Sequence, residues 1–197
     1  MHTPKGVLDF WLHTVGEAGW YKQDASVDAD IRKRYLNLWQ RAAGGALTDW
    51  CVTPRGTLAY LILTDQFPRN MFREDGRAFA TDGIAVHAAK KAVERGWDLR
   101  VAEPERQFFY LPMMHAESLP DQERCVRLIA ERMPETGASN LLHARAHRRV
   151  IRQFGRFPHR NTALGRDTTP KEARFLDGGG YGAVVRAIEA EDASLRA

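Results

Sequence analysis

The sequence predicts an all-α fold, and three observations lead to it. Apolar residues recur at the 3.6-residue helical period, as in Ile31, Tyr35, Leu38, Trp39 and Ala42. Helix-starting pairs stand at Thr53-Pro54 and Thr169-Pro170, and helix-ending glycines at Gly44-Gly45 and Gly96. No stretch alternates apolar and polar residues with the period of two that a half-buried strand needs. The expectation is eight or nine helices in consecutive antiparallel pairs, within a single domain spanning 1–197. Its last residues, about 181–197, read as a terminal helix and frayed tail.

Taken in order, residues 5–14 bring Val7, Leu8, Phe10, Trp11 and Leu12 together in a short helix with an aromatic inner face. The second helix runs from Val27 to Ala43. Thr53 caps the third, whose apolar run Leu58–Leu63 is helical rather than a buried strand because a cap and an N1 proline precede it. That helix carries Asp65 on its core side and breaks at Phe67-Pro68. Residues 77–95 follow as a long helix with Phe79, Val86, Ala89 and Val93 inward and Asp82 on the same face. After an aromatic segment from Arg106 to Leu111, Ser118 to Asp121 fits a capping box for a helix burying Cys125, Val126, Ile129 and Met133. Ser139 caps the next, with an inner stripe of Leu142, Ala146, Val150 and Phe154. Thr169, Pro170 and Glu172 form a second capping box, and Val184, Val185 and Ile188 mark the terminal helix.

Composition narrows the function. The chain has 197 residues, 44% hydrophobic and 27% charged, which is globular usage rather than that of a disordered segment. Its net charge of +4 is carried mainly by arginine, a residue suited to planar contacts with carboxylate or phosphate. Cys51 and Cys125 stand far apart and predict free thiols in a reducing compartment. No apolar run reaches the roughly 18 residues of a membrane span, and the expected address is the cytoplasm.

The densest chemistry lies between Phe154 and Arg166, where Arg156, His159, Arg160, Asn161 and Arg166 follow a helix end. A shorter echo, Phe67-Pro68-Arg69-Asn70, lies in the first half. Asp65 and Asp82 sit on apolar faces, where a carboxylate requires a cation, and Arg69, Arg156 and Arg160 are the candidates. His115 and Glu117 could act as acid and base, or be a carbonyl-bonded histidine and an arginine-paired glutamate. His143 and His147 are four apart but lack a supporting third ligand, so no metal is assigned. Arg145, Arg149, Arg152 and Arg156 share a helix face, read as solvated because no nucleic-acid motif accompanies it. The glycines 178–180 lack a phosphate-loop lysine, and no Gly-x-Ser-x-Gly occurs.

Three of these segments together resemble a known family. They are Leu58 to Asn70 ending in Asp-Gln-Phe-Pro-Arg-Asn, Tyr110-Leu111-Pro112 with His115 and Glu117, and Phe154 to Asn161 with Leu164-Gly165-Arg166. The sequence is similar to the bacterial "domain of unknown function 924" from Val7 to about Leu176, departing at Ala116, where the family's His-x-Glu motif has serine. The resemblance implies a helical stack like that of tetratricopeptide-repeat proteins, although no clean 34-residue period is visible. It implies no reaction and no cofactor.

The resulting expectation is a basic, aromatic-walled pocket for a small anionic metabolite or acidic peptide end. Asp65, Arg69, Asn70, Arg156, His159, Arg160, Asn161 and Arg166 are its ligand-binding candidates. The rivals are a metal-independent hydrolase or transferase using His115 and Glu117, and a protein-interaction scaffold.

Overall fold

Every regular element among residues 3–195, the part of the chain that this computed structural model describes, is a helix or helical turn. The chain divides into two compact units, Met1–Pro112 and Met113–Ala197.

In the first unit, Thr3 caps α1 (Pro4–Leu8), which widens into a π-helical turn over Asp9–Val15. α2 (Ala25–Ala43) starts earlier than its apolar period suggests, because the Asp24 carboxylate accepts the Ser26 and Val27 N–H groups. Its buried residues Ile31, Tyr35, Leu38, Trp39 and Ala42 are the ones the period selects. α3 (Pro54–Leu61) is capped by Thr53, as its Thr-Pro pair predicts.

The break expected at Phe67-Pro68 is absent. α3 passes through a wide turn, Ile62–Gln66, into α4 (Phe67–Met71), and the path stays helical through Pro68. Proline has no N–H to offer the carbonyl four residues back, which is that of Thr64. The Thr81 hydroxyl donates to this carbonyl instead, at 2.5 Å, and accepts in turn from Trp39 Nε1–H at 3.0 Å.

α5 spans Asp82–Glu94 and buries Ala85, Ala88, Ala89, Ala92 and Val93. The residues before it, Gly76–Phe79, form a separate 3-10 turn rather than its first turn. α1 and α5 both pack on α3, and α2 packs on α4. Phe67 is the aromatic centre of this unit, with its ring 5.5 Å from Trp11, 6.2 Å from Phe10 and 4.9 Å from Tyr35. A short helix, α6 (Leu111–His115), carries the chain into the second unit.

There α7 (Leu119–Arg132) and α8 (Ala138–Phe154) form a helical hairpin, followed by α9 (Pro170–Asp177) and α10 (Gly180–Ser194). α8 packs against both α7 and α10. Its core with α10 consists of Ala146, Val150, Ile151, Val184 and Ile188, closed by Phe157, while Leu142 and Phe154 are partly buried at the edge. The Thr169–Glu172 capping box forms. The Ser118 box does not: its side chain makes no capping bond, and Pro120 removes one of the two N–H groups it could have met. α8 starts at Ala138 behind Gly137, so Ser139 lies inside the helix and is not its cap.

With Pro54–Met71 taken as one element, the described residues contain nine helices and no strand. No helix among them is long and apolar enough to cross a membrane. The last two residues of the expected frayed tail, 196 and 197, lie outside the described residues.

Candidate functional site

The second unit gathers its polar side chains around Phe157. α8 stops because Gly155 takes a left-handed conformation, φ 72°, and its N–H returns to the Ile151 carbonyl at 2.8 Å. Two residues later Phe157, with no exposed surface, turns back into the core. Pro158–Arg160 then forms a 3-10 turn, and the Arg166 N–H closes the loop onto the Asn161 carbonyl at 2.8 Å.

Glu117 is bound from three sides. Arg166 donates to both carboxylate oxygens, at 2.7 and 3.0 Å, and the Phe157 N–H donates at 2.8 Å. Burial pushes this carboxyl up, but the Arg166 guanidinium and the Phe157 N–H outweigh it and hold it below the usual range. A carboxylate held in this way is a weak proton acceptor. Arg160 donates to the His115 carbonyl at 3.0 Å, and its guanidinium lies 4.5 Å from the Phe157 ring centroid. His159 is exposed, with its ring 5.7 Å from the same phenylalanine.

Arg156 fastens the loop at its base. Its Nε and Nη2 donate to the two oxygens of Glu172, at 2.6 and 2.8 Å, and Nη2 also donates to the Asp167 carbonyl. Glu172 accepts the Thr169 N–H as well. The Arg156 guanidinium and these Thr169 bonds hold its carboxyl far below the ordinary value.

A histidine pair completes the surroundings. His147 packs edge-on to Phe157 at 5.3 Å, with His115 at 6.1 Å and Tyr181 at 4.7 Å from its ring. Burial, reinforced by the neighbouring His115, drives His147 down to about 3, so it is neutral at ordinary pH. Its Nδ1–H donates to the His143 carbonyl at 2.8 Å, which leaves the lone pair on Nε2. The Tyr181 hydroxyl, kept protonated by burial, is hydrogen-bonded to His143 Nδ1 at 2.7 Å. His147, Tyr181 and Phe157 were not singled out from sequence as site residues. The available signal was the four-residue spacing of the two histidines, and Tyr181 reaches them only through the packing of α10.

Among the described residues of this unit, the buried atoms without a partner include Asn161 Oδ1, Arg166 Nε and Gln122 Oε1. Asn161 is 1% exposed and donates through Nδ2 to Thr168 at 3.3 Å. Gln122 donates to the carbonyls of Met113, Met114 and Ala116.

The remaining sequence candidates belong to the first unit. Arg69 grips both Asp82 oxygens at 3.0 Å, donates to the Asp65 carbonyl at 2.6 Å, and lies 3.2 Å from the Asp65 carboxylate. Asn70 donates to Asp28 at 2.8 Å and accepts from Gln66 at 3.0 Å. The pairing of Asp65 and Asp82 with Arg69 is therefore an internal network that ties α4 to α5.

Two comparisons place this architecture among known proteins. Residues 7–180 match the model of a family described as "Bacterial protein of unknown function (DUF924)". The fold is similar to a solved structure, "Structure of Protein of Unknown Function ATU0120 from Agrobacterium tumefaciens". That match has a TM-score of 0.83 and 39% identity, and covers 89% of this chain and 97% of the other. No curated protein matches the chain.

Proposed function

Starting from a chain that belongs to the bacterial family of unknown function DUF924, we propose that it binds a small anionic metabolite at the Asn161–Arg166 loop. The observation that carries this reading is the pair of buried, unpartnered atoms there, the Arg166 Nε–H donor and the Asn161 Oδ1 acceptor. Buried polar atoms are nearly always paired, and two orphans on one loop support the reading that a solute supplies both partners. A ligand that satisfies both brings an oxyanion together with a hydroxyl, as a hydroxy acid or monohydrogen phosphate does. Arg160, packed on Phe157, adds positive charge at the same loop. An acidic peptide end offers a carboxylate with a backbone N–H and is the variant that the test separates.

Binding is favoured over acid–base turnover because Glu117, the base of the rival reading, is engaged by three donors and held ionised. Arg69 and Asn70 are assigned to the internal network of the first unit rather than to this ligand.

The test is thermal melting with inorganic phosphate, glycerate and a short peptide ending in aspartate, on the parent protein and on Asn161→Ala and Arg166→Lys. At about 100 times Kd, a true ligand raises Tm by about 5 °C or more in the parent. Both variants should lose that rise while keeping the parent's helical circular dichroism. An undiminished rise in Asn161→Ala, or no rise with any probe, removes the proposal.

A further inference from the structure

A cavity unrelated to the loop above lies in the first unit. It is a cleft of about 420 Å³ between the end of α2, the start of α3 and one face of α5. Its floor is buried and apolar, formed by Ala42, Ala88 and Ala92, with Ile84 and Trp97 at its edges. Small residues make the space: a Cβ added at Gly45 or Gly83 would meet no atom within 4 Å.

One side of the mouth is cationic. His87, Lys91 and Arg95 repeat every four residues along α5 and its C-cap, so they share a helix face, and all three are exposed. No carboxylate lines the cleft. Among the described residues, Lys91 and His87 make no side-chain hydrogen bond or ion pair, and the only side-chain partner of Arg95 is the Trp97 ring at 4.8 Å. Asp49 acts with burial on the Cys51 thiol and is opposed there by Arg95 and Lys91. That thiol is pushed up to about 11, which makes it an inert wall rather than a nucleophile.

The inner end holds an unused donor. Tyr60 is 4% exposed and lines the cleft, and its hydroxyl has no hydrogen-bond partner among the described residues. Burial keeps it protonated, raised to about 12. A tyrosine buried this far normally finds an acceptor for its O–H. Its neighbour Thr57 is satisfied by the Thr53 carbonyl at 2.9 Å, so the vacancy is specific to Tyr60.

We propose that this cleft binds a flat amphipathic carboxylate: its acid group meets Lys91 and Arg95, its apolar body rests on Ala88, Ala92 and Trp97, and a second oxygen accepts from Tyr60. The volume falls within the range of small-molecule sites, and apolar walls with few polar groups are their usual make-up. The charge at the mouth sets the sign of the ligand, and the hydroxyl inside offers a donor to an acceptor at its far end.

The probe is 6-hydroxy-2-naphthoate, titrated by its own fluorescence, with its uncharged methyl ester as comparison. Saturable binding is expected, at least tenfold weaker for the ester and for Lys91→Ala/Arg95→Ala, and threefold or more weaker for Tyr60→Phe. Gly83→Trp should abolish binding by filling the cleft. Asn161→Ala should leave it unchanged, which separates this site from the loop of the second unit. The exposed Lys91 and Arg95 make no side-chain hydrogen bond or ion pair among the described residues, so their double variant keeps the experiment decisive if Gly83→Trp misfolds. No saturation at millimolar probe, or equal binding of acid and ester, overturns the proposal.

Discussion

Pro68 sits inside a helix, and the group that answers for it is a single hydroxyl thirteen residues later in the chain. Thr81 donates to the carbonyl that proline cannot serve and accepts the Trp39 indole N–H, so three elements share one side chain. Thr81→Val keeps the shape but leaves a buried carbonyl and a buried N–H without partners. It should cost about 1–3 kcal/mol in urea unfolding, whereas Thr81→Ser should cost much less. The proline itself was legible in the sequence, but its consequence was misread, since nothing near it announces a distant hydroxyl. The same limit applies to Ser118 and Ser139, whose sequence contexts suit caps that their backbone neighbours do not use. Thr53 and Thr169 were readable because a proline at N1 and a reachable N3 amide are both local properties.

At the scale of an element, α8 carries Arg145, Arg149 and Arg152 of the row of arginines that could have followed a phosphate backbone, while Arg156, expected on the same helix face, lies beyond its end at Gly155. Each has a carboxylate instead. Arg145 meets Asp192 and Arg149 meets Glu191 on α10, Arg152 and Arg148 meet Glu123 on α7, and Arg156 meets Glu172 on α9. These are mostly half-exposed pairs, whose individual worth is small. Glu123→Ala should therefore cost less than about 1 kcal/mol, and Ile151→Ala, emptying a fully packed position, about 2–5 kcal/mol. Comparison of urea midpoints checks both; equal losses would mean that ion pairing rather than burial holds α8. The apolar stripe of this helix was visible in its period. Which acid would meet which arginine was not, because those pairs join residues up to 47 positions apart.

For the molecule as a whole, pH dependence follows from groups whose folded values lie below their unfolded ones. Glu117, Glu123, Glu172 and Glu191 are all depressed, chiefly by arginine bonds acting against burial where burial matters. Their stabilisation is complete above the ordinary carboxylate value, near 4.3, and fades as pH falls through the folded values. His147 adds an earlier loss. It is neutral when folded down to about 3 but takes a proton near 6.5 when unfolded, so stability declines from about pH 6.5 downward. The slope from this one group is at most about 1.4 kcal/mol per pH unit. Denaturant midpoints at pH 7.5, 5.5 and 4.0 should show a shallow decline followed by a steep one. His147→Gln should flatten the first segment and lessen the slope of the second, where the carboxylate losses remain, and an unchanged first segment would assign it to other groups. Composition announced an arginine-rich, mildly basic helical chain, and the helix count followed from periodicity. The division into two units, each with its own core, left no mark in composition, since no proline- or glycine-rich linker separates Pro112 from Met113.

The clasp between Arg156 and Glu172 has a kinetic consequence. It joins the residue that opens the loop to the helix that follows it, with the Thr169 cap sharing the same carboxylate. The closure entropy of the intervening segment is therefore met during folding rather than at the moment of encounter. A solute arriving at Asn161 and Arg166 meets a loop already in its bound shape. Its association should appear in stopped-flow traces as one exponential whose rate rises linearly with concentration, without the plateau that a loop ordering around its ligand would impose.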